Sequence, residues 1–161
     1  MYKLILLLFI TFNTTSLLAQ VSDNEVNKSK LENNIFLELF GNAGAYSFNY
    51  DRVIIKNISA RAGIMVLKSD DDFVTAFPVL INYCFNLNTN YLEVGIGLTF
   101  FSLPNDFELL GLIEKNGSIL TGAVSYRVQT DIGVNFRISF TPFFYNKEFI
   151  PFGGFSIGYS F

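Results

Sequence analysis

The chain has 161 residues, with 11 Lys and Arg against 14 Asp and Glu, no His, one Cys and a net charge of −3; half of it is apolar, 17% is aromatic and only 16% is charged. That charge leaves no basic field for nucleic acid, the missing His removes the commonest general base and metal ligand, and a single Cys makes neither an internal disulfide nor a cysteine zinc site. Charged residues fall below the ~25% of an ordinary soluble domain, yet no apolar run reaches the ~20 residues of a transmembrane helix, so composition argues against a nucleic-acid binder, a metalloenzyme and a helical membrane protein.

Met1-Tyr2-Lys3 gives a short positive start, and Leu4 to Ile10 is an unbroken apolar stretch. Polar residues from Asn13 to Ser16 precede Leu17-Leu18-Ala19, which reads as a secretory signal peptide, residues 1–19, cleaved after Ala19. Gln20 to Asn34 is polar, rich in Asn and Lys, and is expected to be a flexible lead-in.

From Ile35 onward the pattern alternates with period two, broken by short polar turns, which predicts strands. Eight are expected: Ile35 to Phe40, Ala45 to Ile54, Ile58 to Leu67, Phe73 to Phe85, Asn90 to Ser102, Gly117 to Val128, Asp131 to Phe143 and Phe152 to Phe161. Connections after the second, fourth and sixth are short; those after the third, fifth and seventh are longer, the last being a loop from Tyr145 to Pro151. Pro78, which lacks a ladder donor, is expected to mark a bulge.

In the third strand Ile58, Ala60, Ala62, Ile64 and Val66 share a face opposed by Ser59, Arg61 and Gly63. In the fifth, Leu92, Val94, Ile96, Leu98 and Phe100 oppose Glu93, Gly95, Gly97 and Thr99. In the seventh, Val134, Phe136, Ile138 and Phe140 oppose Asn135, Arg137, Ser139 and Thr141. The polar faces hold small residues with an occasional Arg or Glu, which suits the narrow interior of an eight-strand barrel. A soluble barrel would show many Lys and Glu outside, so the apolar faces are assigned to lipid. A bilayer tolerates no free strand edge, so the sheet must close. The expectation is an all-β, closed eight-stranded antiparallel up-and-down transmembrane β-barrel over residues 35–161. Tyr46, Tyr83, Tyr91, Phe101, Tyr126, Phe143 and Tyr159 are candidates for interfacial aromatic girdles.

The last strand, Gly154-Phe155-Ser156-Ile157-Gly158-Tyr159-Ser160-Phe161, resembles the C-terminal signal of Gram-negative outer-membrane β-barrel proteins, with Phe155, Ile157, Tyr159 and Phe161 at the matching positions. The body from Ile35 to Phe161 resembles, in pattern, the small eight-strand barrels of the OmpA/OmpX kind. The resemblance implies an outer-membrane location, a surround of outer-membrane lipid and lipopolysaccharide, and recognition of the last strand by the barrel-assembly machinery. Enzymes among such barrels use a His with Ser, Asp or Glu, and this chain has no His to carry that chemistry.

Six charges are expected to point inward: Glu38, Asp51 and Glu93 with Arg61, Arg127 and Arg137. Asp51 and Arg61 flank one short turn, and Glu93 and Arg127 should meet on neighbouring strands. Three acids against three bases suggest a paired, plugged lumen; an ion path or a ligand pocket is the alternative. Cys84 is read as an inward-facing filler. Lys68-Ser69-Asp70-Asp71-Asp72 is an acidic tip, and the long connection from Leu103 to Asn116 is unusually apolar for a surface loop. The expected function is therefore a non-enzymatic structural or surface-interaction role in the envelope, with no cofactor and no metal. A narrow channel or small-ligand transporter is the alternative, and a secreted lipocalin-like barrel a third reading.

Overall fold

The computed structural model describes residues 32–69, 72–88, 90–104 and 117–161. The expected signal peptide (1–19), most of the lead-in, Asp70 and Asp71 of the acidic tip and residues 105–116 of the long connection lie outside the described residues.

The strands are β1 (Asn33–Phe40), β2 (Tyr46–Ile55), β3 (Ile58–Ser69), β4 (Asp72–Leu87), β5 (Asn90–Ser102), β6 (Gly117–Gln129), β7 (Val134–Phe140), β8 (Phe143–Tyr145), β9 (Glu148–Ile150) and β10 (Gly153–Ser160). Each pairs antiparallel with its neighbours, and β1 closes on β10. The pair β7 and β8 forms one wall strand, and β9 and β10 form another, so the cylinder has eight walls. The breaks fall at Thr141-Pro142 and Pro151-Phe152, where a missing proline donor interrupts the ladder. Across them Gly122 N–H donates to the Pro142 carbonyl and Thr141 N–H to that of Phe152.

Successive cross-strand partners run Ile35, Tyr50, Ala62, Val79, Leu98, Leu120, Phe144 and Phe149. That row starts near the mouth where the described chain begins at Glu32 and ends at Phe161, called the termini mouth below, and it finishes at the tip of the farthest hairpin. Such a stagger is what closing a tilted sheet requires. All eight of these side chains face outward. So do Val94, Ile96, Phe136 and Ile138, the last two-thirds exposed. The alternate positions are buried, among them Asn49, Arg61, Asn82, Thr99, Ser125 and Arg137. The apolar-out, polar-in assignment therefore holds around the barrel.

Four local expectations are corrected. Strand β1 starts at Asn33, inside the expected lead-in, because Asn34 turns inward and its amide oxygen accepts from Asn135 at 2.9 Å. Pro78 causes no bulge: it stays in register opposite Thr99, and the register of β2 against β3 shifts instead at Val53/Ile55, beside their turn. Asp131 to Gly133 is a turn, with Gly133 at φ 92, and not the start of the seventh strand. The expected loop from Tyr145 to Pro151 is a hairpin whose two turn residues, Asn146 and Lys147, both have positive φ, as a type I′ turn demands.

The walls are unequal in length. Pairing of β2 with β3 reaches no farther than Ile64, while β3 continues against β4 to Ser69. Beyond Phe40 and Tyr46, among the described residues, the sheet continues through β3, β4, β5, β6, β8 and β9 alone. These six enclose an apolar cluster of Ala43, Met65, Val74, Ala76, Phe101, Leu103, Ile119 and Phe143.

Candidate functional site

Nearer the termini the interior is charged. Asp51 and Arg61 are direct cross-strand partners. Arg61 Nη2 lies 3.7 Å from Asp51 Oδ2 and 3.4 Å from Glu93 Oε2. Arg137 Nε lies 2.9 Å from Glu93 Oε2, and its Nη2 lies 3.7 Å from Asp51 Oδ2. Arg127 Nε lies 3.2 Å from Glu93 Oε1. Glu93 is thus the hub of three guanidinium groups, and it is 1% exposed. Removing one partner of such a buried cluster leaves an uncompensated charge, at a cost of roughly 3–5 kcal/mol.

Glu38, the sixth residue of the expected set, is fully buried on the same face of β1 but forms no ion pair within 4 Å among the described residues. Its carboxyl leans on Gly41, where an added Cβ would fall 2.3 Å from Cδ. The structure brings five of the six charges into contact and leaves Glu38 beside them.

Aromatic rings complete the layer. The guanidinium carbons of Arg137 and Arg61 sit 4.3 Å and 5.0 Å from the centroid of Phe36, and that of Arg127 sits 4.4 Å from Tyr91. Desolvated cation–π contacts of this kind are worth about 2 kcal/mol each. Tyr91 is therefore a lumen residue, not part of a girdle. Phe101 and Phe143 are also corrected, since both are buried in the apolar cluster. Tyr83, Tyr126 and Tyr159 do face outward, as does Tyr50, which was not among the girdle candidates. Three of these hydroxyls bond an Asn near the termini mouth: Tyr50 to Asn33, Tyr83 to Asn57 and Tyr126 to Asn90. Tyr46 Oη donates to the Val66 carbonyl, beyond the last β2–β3 pair.

The inward glycines make room for amides. Gly63 lies opposite Asn49, Gly95 opposite Asn82 and Gly158 opposite Asn135. A Cβ on Gly63 or Gly95 would fall 2.1 Å or 2.0 Å from the Asn oxygen. Cys84 faces inward near the termini mouth, 3.9 Å from Ser59 Oγ.

Between the charged layer and the apolar cluster lies the connection from β1 to β2. Gly41–Ala43 forms one 3₁₀ turn, and all three residues are buried. Asn42 Nδ2 donates to Thr121 Oγ1 at 2.6 Å and to the Gly122 carbonyl at 2.9 Å, while Thr99 Oγ1 donates to the Asn42 carbonyl at 2.8 Å. Those partners are on β5 and β6, across the barrel from β1 and β2. The turn bends inward through positive φ at Phe40 (62°), Gly41 (71°) and Gly44 (93°). That geometry is free for glycine but strained for Phe40. Gly154 makes space for it, since a Cβ there would lie 2.7 Å from the Gly41 nitrogen. Asn42 was missed because Gly-Asn-Ala-Gly reads as an ordinary surface turn. Phe36 was legible from parity, as it shares the face of Asn34 and Glu38.

No family model matches the chain, and no curated protein matches it. Two solved structures are similar. The N-terminal β-barrel domain of Pseudomonas aeruginosa OprF aligns with a TM-score of 0.60 at 11% identity, covering 81% of this chain and 96% of that one. The outer membrane protein Ail of Yersinia pestis, determined in a phospholipid bilayer nanodisc, aligns with a TM-score of 0.53 at 12% identity, covering 81% of this chain and 99% of that one. The closed, eight-walled antiparallel cylinder, apolar outside and polar within, therefore has the fold of the small outer-membrane β-barrels of the OmpA/OmpX type.

Proposed function

We propose that the chain resides in the outer membrane and serves the envelope as a non-enzymatic structural or surface-interaction barrel with a closed lumen. The observation that carries this reading is the Gly41–Ala43 turn, which is buried inside the cylinder and tied by Asn42 to the far wall. On one side of it Asp51 and Glu93 pair with Arg61, Arg127 and Arg137, with Glu38 buried beside them as the third acid; on the other, apolar side chains pack together. Neither layer offers the sustained polar path that conduction needs.

The outward faces favour lipid acyl chains and lipopolysaccharide as surroundings. Outward charge on the wall strands falls near their ends, at Arg52 near the termini mouth and at Lys68 near the far tip. Phe155, Ile157 and Tyr159 form the exposed face of β10, with exposed Phe161 just beyond it, available to an assembly machinery before the β1–β10 seam closes. A soluble lipocalin-like barrel is disfavoured because its apolar face would have to turn inward.

Refolding in detergent followed by planar-bilayer recording tests the reading. Heat-modifiable electrophoretic migration with a silent bilayer is the expected result, and Arg61→Ala should lower stability while the bilayer stays silent. Steady conductance by the unmodified barrel would overturn the closed lumen and favour the channel alternative.

A further inference from the structure

Above the first hairpin the cylinder lacks two of its walls. Strand β1 ends at Phe40, β2 begins at Tyr46, and the last pair between β2 and β3 is Phe48 with Ile64. Strand β3 then runs on from Met65 to Ser69 with β4 alone beside it, and β9 pairs with β8 alone. At ~3.3 Å per residue and a tilt of ~40°, the stretch from Met65 to Ser69 lifts that wall roughly 12 Å above the hairpin. Among the described residues, no backbone hydrogen bond crosses the gap between the edges of β3 and β9.

The gap opens onto the apolar cluster. The partly exposed side chains packed against that cluster are Ala45, Tyr46, Leu67, Tyr145, Ile150 and Phe152, and all of them stand on the floor or the rims of the gap. Val74, Ala76, Phe101 and Ile119 are buried and come from β4, β5 and β6, away from it. Burial is therefore incomplete on one side only, and apolar area left there gains free energy from any apolar cover.

The outer surface beside the gap says what reaches it. Ile64 and Val66 face outward on the β3 rim, and Phe144 and Phe149 face outward on the other. Charge first enters at Lys68 on one rim and at Lys147 and Glu148 on the hairpin tip of the other. The apolar belt thus climbs past the first hairpin on both rims, and the gap lies at the depth of that belt. A bilayer core tolerates no free edge group, and within the belt the Val66 carbonyl on the β3 edge is met by Tyr46 Oη. We propose that the gap above the first hairpin seats an acyl chain of a membrane lipid from the leaflet around the far mouth, laid against Leu67, Ile150 and Phe152. The site rests on the membrane reading given above, because a hydrocarbon chain arrives there only if the outward faces stand in lipid.

The chain contains no Trp, so one introduced indole reports from one place. The test is quenching of Trp fluorescence in nanodiscs of a phospholipid brominated on its acyl chains, since bromine quenches an indole only at close approach. Three variants are compared: Leu67→Trp in the gap, Phe101→Trp in the sealed part of the cluster and Ile96→Trp on the outer face. The lipid site predicts that Leu67→Trp is quenched nearly as strongly as Ile96→Trp and several-fold more than Phe101→Trp. Ile150→Trp repeats the measurement from the opposite rim, so either rim decides if the other variant does not fold. A gap reporter quenched no more than Phe101→Trp overturns the proposal. If aqueous iodide quenches that reporter instead, water fills the gap; if neither quencher reaches it, protein covers it, from this chain or from a second copy. Strong quenching of Ile96→Trp with a silent gap reporter overturns the lipid site alone. An unquenched Ile96→Trp overturns the membrane reading together with it.

Discussion

The same strands build two interiors of opposite character. Near the termini β3 turns Ser59 and Arg61 inward; farther along it turns Met65 inward. Strand β4 passes from Cys84 and Asn82 through Leu80 to Ala76 and Val74, β5 from Glu93 through Thr99 to Phe101, and β6 from Arg127 and Ser125 through Thr121 to Ile119. The lower half is held by charge pairing and amides over glycines, the upper half by apolar packing. The border falls where β1 and β2 end and their connecting turn folds inward. A short first hairpin thus does two things: it spans the cylinder, and it leaves six longer strands to bury apolar side chains beyond it.

If the halves obey different physics, they should fail differently. The largest effect is expected for Glu93→Leu, which strips three buried guanidinium groups of their shared partner. A loss toward the upper end of ~3–5 kcal/mol should follow, read as a lower urea midpoint of the detergent-refolded barrel. A midpoint unchanged from that of the unmodified protein would mean that the charges are not what holds the lower half. Met65→Ala removes packing alone and should cost about 3 kcal/mol without altering bilayer silence; a new conductance would show that the apolar cluster, not the turn, seals the interior. Gly95→Ala tests the amide-over-glycine device. Its Cβ would fall 2.0 Å from Asn82 Oδ1, but a side chain can yield, so a cost of about 1–3 kcal/mol is expected. The paired variant Gly95→Ala with Asn82→Ser should recover part of it, and no recovery would point instead to the nearby Ile81 carbonyl.

Much of the architecture was legible in the chain because alternation is a local property. Ile96 and Ile138 could be assigned outward, and Arg61 and Arg137 inward, since a one-residue slip would move every side chain to the wrong face. Asp51 opposite Arg61 followed from their spacing about one short turn. Legibility failed where local pattern and tertiary position diverge. Phe101 and Phe143 look like girdle aromatics, but their parity turns them inward, and only the long walls beyond the turn give them a core. Tyr91 looks interfacial, yet it lies under Arg127 from another strand. Tyr145 to Pro151 looks like a loop because Asn146-Lys147 and Pro151 carry turn chemistry, while the pairing of Phe143 with Ile150 depends on the neighbouring β6.

By itself the sequence determined the eight walls, the face each turns outward and the charge balance of the lumen, because these follow from period two and from composition. The tertiary structure alone decided that Glu93, not Asp51, is the hub, that Glu38 stands apart, and that the Gly41–Ala43 turn enters the cylinder. Those outcomes depend on stagger: which residues share a level is set by the tilt needed to close eight walls, and no single strand carries that information.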